Sequence, residues 1–260
     1  MAFTDVCLKR HILLLGWSDK CQEIIDNLHS EDVEDPRQVV IVTTKPVCLD
    51  PARVTNRGVV VVPGDPSDEN VLHMANAERA SAGIIIAEER DPSEADTKAL
   101  LVALTLREVA PWIYIAAEVV QLADVDQFGT VAACVDEVVC AEQFVSRMLA
   151  QGAVFPGSGV VELYSHLLGQ SADSNEVYLV EVPDDFAGRS YAEVQQLVLD
   201  GASSEPVILL GYLKADAEDG DGLVISPGAH GSRELDYKLD GADHIVAISQ
   251  TRPRLANWAE

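Results

Sequence analysis

Two stretches of the chain carry residue types at spacings that can do chemistry. The first runs from His11 to Leu28. Its apolar residues Ile12, Leu13, Leu14 and Leu15 stop at Gly16, and a short polar turn leads to Ile24, Ile25 and Leu28. A buried strand, a tight turn and an amphipathic helix in that order leave unpaired N–H groups where the helix dipole is positive, which suits an anion. A dinucleotide-binding turn needs three glycines here. Gly16 supplies the first, while Ser18 and Cys21 occupy the other two places. A side chain at Ser18 obstructs the approach of a pyrophosphate and Cys21 loosens the helix-to-strand contact, so NAD is disfavoured. What remains is a smaller ligand, such as an adenine mononucleotide held at Gly16, Ser18 and Asp65, or a purely structural turn. The second stretch is the acidic turn Glu88, Glu89, Asp91, Glu94 and Asp96. Converging carboxylate oxygens are what a hard divalent cation requires, and clustered carboxyls also raise one another's pKa; a solvated strand end has the same composition.

Other chemistries find little support. Thr43 stands at the end of the second strand, where a dinucleotide site needs an acidic residue for the ribose hydroxyls. The five cysteines, Cys7, Cys21, Cys48, Cys134 and Cys140, are odd in number and irregular in spacing, which fits neither a zinc site nor a secreted disulfide framework. The six histidines show no ligand-like pairing. No Ser-His-Asp or Cys-His arrangement stands out. The run from Ala215 to Gly222 is acidic but lacks the register and terminal glutamate of a calcium loop, so it reads as a hairpin tip.

The elements that must position these residues follow from apolar patterning. Strands are expected at 12–15, 39–42, 59–62, 83–87, 112–116 and 136–139, with helices between them, including 93–109 and one through Leu122, Val125 and Phe128; a helical turn is expected at 51–57 and a solvated acidic loop at 29–36. Alternation of this kind predicts an α/β, Rossmann-like doubly wound parallel sheet to about residue 140. Two apolar helices follow, one through Phe144, Val145, Met148 and Leu149 and one through Val160, Val161, Leu163, Tyr164, Leu167 and Leu168, separated by a hinge at 155–159. Apolar faces leaving a closed sheet need a partner, so a dimer interface through Phe144, Met148, Leu149, Val160, Val161, Tyr164, Leu167 and Leu168 is the expectation. After a polar linker at 169–175, strands at 177–182, 207–213, 223–225 and 244–248 read as a meander within a small α+β subdomain.

The balance of 18 basic against 43 acidic residues gives a formal charge of −25 over 260 residues. Such a field repels nucleic acid and anionic headgroups and attracts cations. The apolar runs are far short of the ~20 residues of a spanning helix, and no signal peptide precedes the first strand, so an intracellular, cytoplasmic chain without direct membrane insertion is expected.

Taken together, the stretches Ile12-Leu13-Leu14-Leu15-Gly16-Trp17-Ser18, Gly64-Asp65-Pro66-Ser67-Asp68 with Val71-Leu72, Ile115-Ala116-Ala117-Glu118 and Asp136-Glu137-Val138-Val139 resemble an RCK domain, the regulator-of-potassium-conductance module of prokaryotic potassium channels and uptake systems. Further on, Val180-Glu181-Val182-Pro183 with Gly188, Val207-Ile208-Leu209-Leu210-Gly211-Tyr212 and Gly241-Ala242-Asp243-His244-Ile245-Val246-Ala247-Ile248 are similar to that family's C-terminal subdomain. The resemblance covers nearly the whole chain in the expected order. It divides the chain into a pore-linker lead-in at 1–10, a Rossmann-like subdomain at 11–141, crossover dimerisation helices at 142–170 and a C-terminal subdomain at 171–260. The Gly-Trp-Ser turn resembles the channel branch more than the NAD-reading uptake branch.

What the resemblance implies is a regulatory gating-ring domain rather than an enzyme. Such domains pair through the crossover helices, build an octameric ring beneath a potassium channel pore, and pull on the pore linkers when ligand changes the ring's shape. The alternatives are a peripheral regulatory subunit of a potassium uptake transporter and, further off, an NAD-dependent oxidoreductase on the same fold. Calcium-gated relatives place one carboxylate at the end of the fourth strand and two after the fifth. Here Ala87 ends the fourth, with Glu88 and Glu89 next, and Glu118 matches the first of the later pair while Val120 replaces the second. As a copy of that site this one is incomplete, which leaves a shifted divalent-cation (calcium-type) site using Glu88, Glu89 or Asp91 with Glu118, or a solvated acidic strand end, beside the nucleotide candidates Gly16, Ser18, Thr43 and Asp65.

Overall fold

A computed structural model describes residues 6–29, 37–49, 58–88, 91–121, 134–155, 157, 159–168, 175–200, 206–217, 222–228 and 234–253. The chain divides into two compact units, Met1–Val160 and Val161–Glu260.

The first unit is a six-stranded parallel sheet. Its elements are β1 (Ile12–Leu15), α1 (Cys21–Leu28), β2 (Val39–Thr43), β3 (Val59–Pro63), α2 (Glu69–Met74), β4 (Ala82–Ile85), α3 (Pro92–Val109), β5 (Tyr114–Val119), β6 (Glu137–Cys140) and α4 (Ala141–Val154). The strand order β3-β2-β1-β4-β5-β6 makes it the doubly wound sheet expected from the sequence, with its switch point between β1 and β4. Every residue of β1 and β2 is buried, because both faces of these central strands are covered. The pleat sorts their side chains by period two. Leu13, Leu15, Val40 and Val42 join Leu72, Val102 and Leu106 in one core, whereas Leu14, Val39 and Ile41 pack with Trp17, Cys21 and Ile25 in the other.

Of the strand ends that differ from the sequence expectation, three have a local reason. β4 stops at Ile85 instead of Ala87, because the Ala87 N–H is taken by the Glu118 carboxylate (3.0 Å) and leaves the ladder. β5 begins at Tyr114 rather than Trp112, which lies 97% exposed in the turn after α3. There the Arg107 guanidinium donates to the Pro111 and Ile113 carbonyls (3.0 and 2.7 Å) and closes the turn. β6 begins at Glu137, since the Asp136 side chain is committed to the Ile115 N–H and to Arg107, both at 2.7 Å. The helix expected through Leu122, Val125 and Phe128, the helical turn at 51–57 and all of the acidic loop but His29 lie outside the described residues.

The second unit holds α5 (Val160–Leu168, which starts at the boundary), β7 (Glu176–Glu181), α6 (Tyr191–Asp200), β8 (Ile208–Leu213), β9 (Leu223–Ile225) and β10 (His244–Ser249). Its sheet is antiparallel but not a meander: the order is β7-β10-β8-β9, with β10 paired to both β7 and β8. Helix α6 was not among the expected elements. Its sequence signal is a capping box in which Ser190 Oγ accepts the Glu193 N–H (3.3 Å) and Glu193 Oε2 accepts the Ser190 N–H (2.7 Å). Tyr191, Val194 and Val198 then fall on one buried face. The Tyr191 ring meets Tyr212 at 5.4 Å, Tyr212 stacks on Tyr237 at 4.7 Å, and the Lys214 ammonium lies 4.6 Å from the Tyr237 centroid. Burial pushes the Tyr191 hydroxyl up to about 12. Buried Asp243 ties this unit together, accepting the Ala215 and Asp240 N–H groups (3.0 and 2.8 Å) and the Tyr237 hydroxyl (2.9 Å).

Among the described residues no helix is long and apolar enough to cross a membrane. Replacing Asp243 with Ala removes the acceptor of three part-buried hydrogen bonds, and we expect urea unfolding of the second unit to lose about 2–4 kcal/mol, with Asp243→Asn losing less.

Candidate functional site

The carboxyl ends of β1, β4 and β5 form one rim, and the parallel register fixes what meets there: Leu15 lies beside Val42 and Ile85, and Ile85 beside Ala117. Chain direction has to change at Gly16, which adopts φ +104° and donates its N–H to the Val42 carbonyl (2.9 Å). A Cβ there would sit 2.8 Å from the Ile86 oxygen and 2.9 Å from Glu88 Cγ. Glycine is required twice over, by backbone conformation and by the closeness of Glu88.

Glu88 is the centre of the site. Its Oε1 accepts the Trp17 N–H at the turn and the Thr43 hydroxyl at the end of β2 (2.8 Å). The Thr43 hydroxyl in turn accepts the Lys45 N–H (3.0 Å). The Glu88 side chain is only 3% exposed, and its Oε2 is buried without a hydrogen-bond partner. Lys45 Nζ and Lys98 Nζ each approach that oxygen to 3.9 Å. Leaving such an oxygen unbonded costs about 1–3 kcal/mol, offset here by the two ammonium charges. Around Glu88, Gly16, Pro66 and Lys98 the remaining cavity is about 10 Å³, room for one water at most.

Two more carboxylates fill the neighbouring strand ends. Glu118 Oε2 accepts the Ala87 N–H (3.0 Å) while its Oε1 pairs with Lys20. Asp96, buried on α3, accepts the Val120 and Gln121 N–H groups after β5 at 2.7 and 2.9 Å. Asp91 caps α3 by accepting the Ser93 hydroxyl (2.7 Å) and N–H (3.0 Å), and the first of these bonds leads in holding its carboxyl below the usual range.

Of the four nucleotide candidates, Gly16 and Thr43 meet at Glu88. Asp65 joins them through Lys98, whose Nζ lies 3.9 Å from both Asp65 Oδ2 and Glu88 Oε2. Ser18 turns away: its N–H donates to the buried Cys21 thiol (3.2 Å), whose pKa burial raises. Of the four carboxylates considered for a divalent cation, Glu88, Asp91 and Glu118 each serve a different set of donors, and Glu89 lies outside the described residues. Among the described residues no group of three or more His, Cys, Asp or Glu side chains is placed to hold a metal ion. Sequence reasoning missed Lys45, Lys98 and Asp96 as members of this rim. Nothing in their local sequence distinguishes them, since Lys45 meets Glu88 43 positions away and Asp96 meets Val120 24 positions away. Beside the rim, Asp65, Ser67, Ser93, Glu94, Thr97, Lys98 and Leu101 line an open groove of about 520 Å³.

The expected dimer-interface residues lie on α4 and α5, and neither helix has a buried side chain. Phe144 is 44%, Leu149 69% and Leu168 61% exposed.

Residues 12–141 match the TrkA-N domain family. The ion channel DMI1 of Medicago truncatula is 24% identical over 259 residues, covering 95% of this chain and 27% of its own length. The ion channel POLLUX of Lotus japonicus is 24% identical over 263 residues, covering 95% of this chain and 26% of its own. The chain thus spans about a quarter of the length of the curated relatives it matches. The human SLO3 gating ring shares the fold, with a TM-score of 0.65 and 16% identity over 93% of this chain and 44% of that one.

Two predictions follow from the rim. Gly16→Ala places a Cβ against the Ile86 carbonyl at positive φ, and thermal unfolding of the first unit should show a loss of about 2 kcal/mol or more. Asp65 is partly desolvated, which raises its pKa, but the Ser67 N–H and hydroxyl together with Lys98 outweigh this and hold it below 3.8. Its folded pKa is depressed, so its contribution is present above the unfolded value and lost as pH falls through the folded one. The difference in melting temperature between wild type and Asp65→Asn should therefore be full near neutrality and shrink as pH drops below about 4.

Proposed function

The chain belongs to the TrkA-N domain family, of the RCK type, and on that premise we propose that it is a ligand-sensing regulatory domain that controls potassium flux through a channel pore by changing conformation when ligand binds. The observation that carries this reading is the extent of the likeness to ion channels. It runs through 95% of the chain, past the Rossmann-like unit and into the second unit. A dehydrogenase built on the same sheet would share the first unit alone, so the reading is regulatory and not enzymatic.

The strand-end rim is the place where ligand acts in this proposal. It joins β1, β2 and β4 through Glu88 and β4 to β5 through Glu118, so a ligand that displaces either carboxylate changes how these ends are held together. Such a ligand shifts the domain only by binding one conformation more tightly than the other. A divalent cation at Glu88, Asp91 and Glu118 would have to draw each carboxylate from its present donors; an anion would compete for the donors themselves.

The apolar exposure of α4 and α5 supports a homo-oligomer, a dimer in the first instance and a ring beneath a pore when assembled. Burying an exposed leucine or phenylalanine side chain contributes about 1.5–3 kcal/mol, ample to hold two copies through these helices. The net charge of −25 favours a position at the cytoplasmic face without insertion, since it opposes contact with anionic lipid.

Light scattering of the purified chain should give a dimer or larger, and Leu149→Asp with Leu168→Asp should reduce it to a monomer of unchanged helix content. A wild-type monomer at high concentration would reject the assembly. Rubidium efflux should respond to ligand in cells carrying the unaltered gene and lose that response in a Gly16→Asp strain; identical efflux in the two strains would reject control of a pore.

A further inference from the structure

We propose that His11 is a buried proton switch that fastens the lead-in, residues 6–10, to the corner between α2 and β4 and releases it on taking a second proton. Hydrogen bonds tie the lead-in to that corner along its length. The Val6 N–H donates to the Met74 carbonyl (2.9 Å) and the Arg10 N–H to the Arg79 carbonyl (2.7 Å). The Asn76 side-chain amide donates to the Leu8 carbonyl (2.7 Å) and the Ser81 hydroxyl to the Arg10 carbonyl (3.1 Å). Val6 and Leu8 also pack against the core that holds Leu13 and Leu15. Arg10 sits in the left-handed region at φ +56°, a conformation that a non-glycine residue keeps only while its surroundings impose it.

His11 joins the lead-in to β1 and has no exposed surface. Its Nε2 lies 3.0 Å from the Ala75 carbonyl oxygen just past α2; a carbonyl only accepts, so Nε2 carries the proton. Nδ1 is then the bare nitrogen, and it is buried without a hydrogen-bond partner. A second proton on Nδ1 makes a buried donor with nothing to receive it, and puts a charge where water does not reach. The ring escapes this only by leaving Ala75, and the His11 carbonyl, which accepts the Ser81 N–H (2.8 Å), moves with it. The charged and titratable side chains on the surrounding elements are Lys9 and Arg10 in the lead-in, Arg37 before β2, Glu69 and His73 on α2, Glu78 and Arg79 in the turn after it, and Arg107 and Glu108 on α3. None of them bonds the ring. Burial holds the His11 pKa down, against the Ala75 bond that raises it. A released ring has the ordinary value of 6.5 and binds the proton more readily than the fastened one. The fastening is therefore full above 6.5 and is lost as pH falls from there through the lower, fastened value. His73 works in the opposite sense: the Glu78 hydrogen bond leads in raising its pKa, so its contribution is present at low pH and lost as pH rises.

The inference stands on the His11 geometry, and its test needs no pore. Amide hydrogen exchange of the purified full chain, corrected for the intrinsic pH dependence, compares wild type, His11→Gln and His73→Gln. In wild type, protection of the Val6 and Arg10 amides should fall about tenfold or more between about pH 7.5 and pH 5.5, while the Val40 and Ile41 amides of β2 keep theirs. His11→Gln supplies a side-chain amide that can donate to Ala75 and does not titrate, so its lead-in should stay protected throughout. His73→Gln should show the wild-type fall. Should His11→Gln not fold, the ring nitrogen resonances of wild type decide: His11 must gain its second proton over the range in which Val6 and Arg10 lose protection. Protection indifferent to pH, a fall that persists in His11→Gln or vanishes in His73→Gln, a fall shared by β2, or a doubly protonated ring beside protected amides overturns the proposal. None of these outcomes bears on the rubidium efflux test, so the two readings fail separately.

Discussion

Backbone N–H groups just past the carboxyl ends of parallel strands have left the ladder and have no neighbouring strand to receive them. The Rossmann-like unit depends on how they are satisfied. In this chain carboxylates do it. Glu88 takes the Trp17 N–H after β1, Glu118 takes the Ala87 N–H after β4, and Asp96 takes those of Val120 and Gln121 after β5. Folds of this type usually meet an anionic ligand at the same rim. Here the chain brings its own anions to it, and the demands of backbone satisfaction and ligand chemistry fall on the same atoms.

The consequence is a rim in which a few side chains tie several strand ends together. Glu88 bridges the β1 turn to the end of β2 while itself following β4, so one side chain reports on three strands. Glu118 links β4 to β5 and, through Lys20, to the residue that precedes α1. Charge makes the few lysines count. Against a net −25, Lys20, Lys45 and Lys98 are drawn to the rim, where buried or half-buried carboxylates require them.

The second unit solves a different problem. Its four-stranded sheet carries a core of aromatic rings, and buried polar groups are met internally by Asp243 and by the capping box at Ser190. Outside both cores, α4 and α5 keep their apolar residues uncovered within the chain. It is this surface that the proposed pairing of two copies would cover.

The sequence by itself determined the sheet and its order of elements, because unbroken apolar runs such as Ile12 to Leu15 and Val39 to Val42 are sufficient to specify buried parallel strands, and Gly16 is sufficient to mark the turn. It also determined the apolar helices at 144–149 and 160–168, whose periodicity is read from the residues alone. Helix α6 is equally legible, in the capping box of Ser190 and Glu193 and in the three- and four-residue spacing of Tyr191, Val194 and Val198. Tertiary structure alone decided what the charged residues do. Glu88 and Asp96 read as one solvated acidic turn, yet folding buries them at different strand ends, each against donors from remote positions. A carboxylate's role is set by which N–H groups and lysines surround it, and periodicity carries no information about those partners. The placement of β10 between β7 and β8 was hidden for the same reason: strand pairing is a long-range choice, made by side chains that meet only once the chain has folded.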